Sequence, residues 1–232
     1  TILARSGRLV EAIRAVFLKK LLDDALNRVI LLADLHWREG DLLRACIGYA
    51  RQIGLKLPLA RVRDIMVQHA QVAGLIVAAF RARFDPDLTG DRDAAANAAR
   101  EAVEDALRSV RGREDDQVLR TIHLIVQAML RTNFYRTDRL THYISFKISH
   151  DALSILPEPK LKVEVYVHHP EVEGLHIRGG KVARGGIRFS DRDDFRTEIL
   201  GLVSTQMVKN VVIVPEGSKG GFFLREVIED PK

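Results

Sequence analysis

The feature that most constrains the fold is a change of hydrophobic period along the chain. From Leu9 to about residue 133, apolar residues recur at three- and four-residue spacing with few breakers. That is the pattern of helices burying one face. After Pro157 and Pro159, LKVEVYVHH alternates apolar and polar residues, as a half-buried strand does. GLHIRGG and GGIRF read as two more short strands joined by glycine turns. Glycines gather in the same part: seven of the sixteen precede residue 150 and nine follow it, in barely half the length. The reading is α+β to α/β. An all-helical domain, residues 1–150, is followed by the start of an α/β domain with a mixed sheet, residues 151–232.

The helical part is expected to begin with one helix from Leu9 to Trp37, ended by Gly40. Asp41 then reads as the N-cap of DLLRACIGYARQI, and Gly54 as its C-terminal stop. After Pro58, LARVRDIMVQHAQVAGLIVAAFRARF is strongly amphipathic. Pro86 and Gly90 punctuate the turn FDPDLTG. DRDAAANAAREAVEDALRSV is helical up to Gly112, and a further helix runs from about Asp115 to Asn133. In the second part a helix is expected from Asp191 to Lys209. Ser190 would cap it, and Asp191, Asp193 and Asp194 would lie against its N-terminal dipole. VVIVP reads as a buried strand, EGSKGG as a glycine loop and FFLREV as another strand.

The net charge of +5 belongs to the helical part. Residues 1–150 hold 24 Lys and Arg against 18 Asp and Glu, and residues 151–232 hold 12 against 13. The excess is spread as single residues, the mark of a solvated helical surface, which argues against a nucleic-acid partner. No apolar run approaches the roughly 20 residues that span a bilayer, so no membrane partner is expected. Cys46 is the only cysteine. No internal disulfide can form, which fits a reducing compartment, the cytoplasm. Its apolar helical surroundings point to packing, not nucleophilic work. The first residues carry neither an initiator Met nor a signal-peptide pattern, and the start reads as a cut through a longer chain.

Chemistry concentrates between Lys181 and Phe222. Arg184 precedes Gly185-Gly186, with Arg188 two residues beyond; Gln206 and Lys209 sit three apart; Lys219 lies between Gly217-Ser218 and Gly220-Gly221. Cations beside glycines grip small anions, because the cations supply charge and the glycines let the backbone approach. Gln206 and Lys209 share a helical face and offer a carboxylate donors from two directions; alone, the pair also suits a solvated helix end. Partial burial of Lys219 beside other cations would favour its neutral amine, which acts as a general base; an exposed turn lysine is the plainer reading. The Gly-x-x-x-x-Gly-Lys-Ser/Thr order of a phosphate loop is absent, as is Gly-x-Gly-x-x-Gly. Arg188 either faces solvent from a strand or pairs with Asp191 or Asp194. His168, His169 and His176 match no metal-ligand spacing, so they read as structural and no metal is expected.

Taken in order, these blocks resemble the substrate domain of the glutamate dehydrogenases. RGGIRFSDR, EILGLVSTQMVKN, VIVP and GSKGGF are similar to the large NAD-specific bacterial type, as are DDQVLRTIHLIVQAMLRTNFY and the turn at Phe84-Asp85-Pro86. The resemblance is dense over residues 114–225. It implies that Lys219 is the catalytic lysine and that Gln206 and Lys209 bind the substrate α-carboxylate. It places Arg184, before Gly185 and Gly186, where smaller members carry a lysine for the side-chain carboxylate. Arg188, Gly220 and Gly221 would support these groups.

The implied reaction is NAD-dependent oxidative deamination of L-glutamate to 2-oxoglutarate and ammonia by a homo-oligomeric full-length enzyme. The resemblance also implies that the catalytic aspartate and the NAD-binding domain lie downstream of residue 232. These residues alone would then be inactive and would expose apolar surface where the missing part packs. A reading from another class makes the helices an assembly or regulatory module without catalysis of its own. Convergence of the charged ends of Arg184, Lys209 and Lys219 on one cleft would favour the enzyme.

Overall fold

The computed structural model describes residues 6–136, 142–156, 158–180, 185–209 and 217–225, with the side chain of Lys209 outside the description. The chain separates into two compact units. The first is Thr1–Ala50, Leu55–Gln127 and Tyr135–Thr137; the second is Arg51–Gly54, Ala128–Phe134 and Asp138–Lys232.

The first unit is helical: α1 (Ser6–Phe17), α2 (Asn27–Leu32), α3 (Trp37–Gln52), α4 (Leu59–Gln68), α5 (Ala70–Phe84), α6 (Arg92–Arg108) and α7 (Arg113–Ala128), with Arg51 and Gln52 of α3 and Ala128 of α7 belonging to the second unit. Its core forms around α3, where Leu42, Leu43, Ala45, Cys46, Ile47 and Tyr49 are all buried. Ile65 and Met66 of α4, Ile76 and Phe80 of α5, and Ile122 and Ile125 of α7 are fully buried too.

Several expectations for this unit are overturned. The stretch from Leu9 to Trp37 is two helices, because the chain between them turns inward to meet a buried arginine. Asp24 accepts the backbone N–H of Leu26 at 3.0 Å and pairs with Arg44 at 2.7 Å, while Asn27 accepts from Arg44 at 3.0 Å. Burying the 5%-exposed Arg44 is tolerable only with such partners. Gly40 does not end a helix, and Asp41 is not an N-cap. Both lie buried inside α3, with Asp41 3.3 Å from Arg44. A Cβ on Gly40 would fall 2.8 Å from Ile30 Cγ1, so the glycine lets α3 and α2 touch. Gly54, after α3, has φ +108°, as a C-terminal stop requires. The helix expected after Pro58 bends by 89° at His69, whose ring lies 2.9 Å from Asp115. Asp91 caps α6 through the Ala94 N–H at 3.0 Å. Among the described residues no single helix is long and apolar enough to cross a membrane.

The second unit is built on a six-stranded mixed sheet: β1 (Met129–Thr132), β2 (Ile144–Ser149), β3 (Val163–His168), β4 (Val172–Arg178), β5 (Ile187–Ser190) and β6 (Ser218–Leu224), in the order β1-β2-β3-β4-β6-β5. Among the described strands only β5 and β6 are parallel, and α8 (Phe195–Lys209) lies between them in the chain. The helix expected to reach Asn133 therefore stops at Ala128, and the next four residues are strand β1.

Register sorts the side chains. Phe146, Tyr166 and Leu175 are on one face with Ile148, Glu164 and Ile177, all buried. Lys219 and Gly221 of β6 share that face. Helix α8 packs on it: a Cβ on Gly221 would fall 2.6 Å from Ile199 Cδ1, and Phe195, Ile199 and Val203 are fully buried.

Candidate functional site

The site grows from the β5–α8–β6 crossover. Its first piece is the turn before β5. A Cβ on Gly185 would fall 1.6 Å from the Ser218 carbonyl oxygen, so only glycine brings the backbone so near β6. Gly186 accepts the Gly220 N–H at 3.1 Å and continues the contact. Arg184, one residue earlier, lies outside the described residues, as does VVIVP.

The second piece is the last turn of α8. Gln206 lies against the start of β6, since a Cβ on Gly217 would stand 3.2 Å from its Oε1. The Gly179 N–H donates to the Gly217 carbonyl at 2.9 Å, tying the end of β4 to the same corner. Lys209 is the last residue of α8, so it and Gln206 are on one face of one helix end.

The third piece is Lys219. It was expected in a glycine loop, and instead it is the second residue of β6, paired with Ile177 of β4 and half-buried. The ladder to β4 extends the strand back over SKGG, and flanking Ser218 and Gly220 are both buried. Backbone contacts therefore gather the residue after Arg184, the end of α8 and the strand of Lys219 at one corner of the sheet.

The crossover is held by groups that the sequence did not reveal. Glu198 of α8 accepts from Ser190 Oγ at 2.9 Å and pairs with Arg188 at 3.0 Å. Ser190 is thus a strap to the helix, not its N-cap, and α8 begins at Phe195, four residues later than expected. Arg188 pairs with Glu198, not with Asp191 or Asp194. In front of α8, the Gln52 amide donates to the Asp193 carbonyl at 2.6 Å and accepts the Arg196 N–H at 3.1 Å. A glutamine so far away in sequence leaves no local signal.

Beneath α8 lies a buried polar triad. Arg196 donates to both oxygens of Glu164, and His150 Nε2 stands 3.0 Å from Glu164 Oε1. His150 Nδ1 accepts the Leu161 N–H at 2.7 Å, so Nε2 carries the ring proton and faces the carboxylate. Burial alone would raise the Glu164 carboxyl, but the bonds from His150 and Arg196 outweigh it and hold it below the usual range. A second cluster joins Tyr166, which donates to Glu173 at 2.7 Å, with Arg225 on the other oxygen of that carboxylate. His168 is buried beside Arg225 and His169 accepts the Glu171 N–H, so both serve the fold. Among the described residues no three His, Cys, Asp or Glu side chains gather as a metal site.

Residues 102–231 match the family described as bacterial NAD-glutamate dehydrogenase, catalytic domain, and residues 21–86 match glutamate dehydrogenase, helical motif 3. The chain belongs to the bacterial NAD-glutamate dehydrogenase family. Among curated relatives, the NAD-specific glutamate dehydrogenase of Pseudomonas aeruginosa is 44% identical over 212 residues, 88% of this chain and 13% of that protein. Those of Halomonas elongata and Mycobacterium tuberculosis are each 41% identical, over 96% of this chain and 14% of theirs. The chain therefore spans about one seventh of the length of the relatives it matches. It includes the corner where Gly185-Gly186, the end of α8 and SKGG meet.

Proposed function

We propose that the chain is part of an enzyme that oxidatively deaminates L-glutamate to 2-oxoglutarate and ammonia with NAD. The observation that carries this reading is the close approach of Gly185 and Gly186, the end of α8 and the strand of Lys219 at one corner of the sheet, supported by the names of the relatives. Glutamate presents two carboxylates, so it needs at least two cationic anchors. Arg184 holds the side-chain carboxylate bidentately, aided by the close backbone of Gly185 and Gly186. Gln206 and Lys209 hold the α-carboxylate. The two grips fix the α-carbon in one orientation.

Lys219, with Gly220 and Gly221 keeping the backbone close, takes and returns protons as water attacks that carbon. When bound, NAD would supply the hydride acceptor. No Gly-x-Gly-x-x-Gly occurs in these residues, so the dinucleotide is assigned to other parts of the enzyme. In the same reading, the helical residues form one domain and the sheet with α8 opens the substrate-binding domain. The full-length protein is a cytoplasmic homo-oligomer.

The test is NAD-dependent glutamate oxidation by the full-length protein. Lys219→Ala should abolish turnover while circular dichroism stays unchanged; turnover near wild type sinks the catalytic role. Arg184→Ala should mainly raise the KM for glutamate, and a change confined to NAD affinity would contradict its assignment.

A further inference from the structure

The sheet has a second face, opposite α8 and opposite Lys219. Register places Arg131 of β1, Lys147 of β2, Val165 of β3 and His176 of β4 in one row across it. Arg178 lies two residues further along β4, beside Val163. Arg131 and Lys147 are direct cross-strand partners. Like charges so placed cost stability. Among the described residues no carboxylate offsets them: the Lys147 ammonium is pushed down first by desolvation, then by Arg131 and Arg178. His176 is lowered first by burial and then by the same Arg178. Arg178 Nε is shielded from water and has no hydrogen-bond acceptor among the described residues. A sheet face that carries three cations, with no described acid to neutralise them, is costly unless something anionic sits there.

We propose that Arg131, Lys147 and Arg178 form a binding site for an oligophosphate group. Adjacent strands lie about 5 Å apart, so Arg131 and Lys147 stand side by side and Arg178 lies two strands further on across the same face. An oligophosphate concentrates several charges in one short chain and offers oxygens on all sides. A guanidinium takes two of those oxygens at once, and an ammonium meets them as a point charge. A dicarboxylate such as glutamate would neutralise two of the three cations and leave the third exposed to repulsion.

The test titrates full-length protein with inorganic tripolyphosphate by calorimetry at 50 and 200 mM salt. Binding should weaken steeply with salt, and Lys147→Gln with Arg178→Gln should weaken it at least tenfold. Arg131→Gln, at an exposed position, is the variant least able to disturb folding, and it should weaken binding several-fold by itself. Two further arms separate the sources. Equal binding of ATP and tripolyphosphate, with adenosine inert, assigns the site to the phosphate chain alone. Tighter binding of ATP that is still lost in the double variant assigns it to a nucleotide. The proposal is overturned by no tripolyphosphate binding at millimolar concentration, by unchanged affinity in the variants, or by adenosine binding as well as ATP. Preference for poly-L-glutamate over tripolyphosphate also overturns it, in favour of an acidic protein partner.

Discussion

At Gly185 the chain has room for a hydrogen and nothing larger. Gly185→Ala would drive a methyl group into the Ser218 carbonyl, and backbone cannot step aside as a flexible side chain can. The expected cost is about 1–3 kcal/mol of stability, together with lost activity, because the strain falls between Arg184 and Lys219. Thermal melting and glutamate oxidation check both, and wild-type values in each would refute the close approach. Glu164 raises a different problem. Glu164→Gln would leave the Arg196 guanidinium buried without its counter-charge. Breaking such a pair costs about 3–5 kcal/mol, whereas replacing both partners by apolar residues is often close to neutral. Urea unfolding should show a large loss for Glu164→Gln and recovery of most of it in Glu164→Leu with Arg196→Met. Equal losses in the two variants would mean that the triad contributes by shape alone.

At the scale of elements, α8 carries Gln206 and Lys209, yet its start is set from elsewhere. Gln52→Ala should free the Arg196 N–H and fray the first turn, at about 1 kcal/mol. Hydrogen exchange of residues 192–197 should quicken while β3 is unchanged; uniform exchange would show that Gln52 matters to the whole unit. This is also where sequence reading reached its limit. The helix end set by Gly54 was legible because its signal is local. The break after α1 was not, because Asp24 and Asn27 turn inward only to meet Arg44, seventeen or more residues later. Strand β2 alternates in Ile144, Phe146 and Ile148, a signal too short to stand out beside the long helical pattern before it. Lys219 was read as a loop residue because its ladder partner lies about forty residues upstream in β4. The blocks around it were legible as chemistry before their geometry was.

For the molecule as a whole, acid should act in two stages. His36, His123 and His176 are held below the ordinary value of 6.5, chiefly by burial. The unfolded chain then takes up protons first, so stability begins to fall as pH drops below about 6.5. Glu164 is also held below its ordinary 4.5. Its contribution is complete above that value and is lost as pH falls through the lowered one. The melting temperature should therefore decline below pH 6.5 and more steeply below 4.5. A melting temperature that rises on acidification would contradict both assignments.

Cys46 offers a way to follow one unit by itself. It is the single thiol of these 232 residues, 0% exposed on the central helix α3, and burial pushes its thiol up. A thiol reagent can reach it only when the helical unit opens, so its labelling rate reports the free energy of that opening whenever reclosing outpaces reaction. Ligands added at the sheet would leave that rate untouched unless the two units open together. The one cysteine thus becomes a clock for whether the helical and sheet units unfold as separate events or as one.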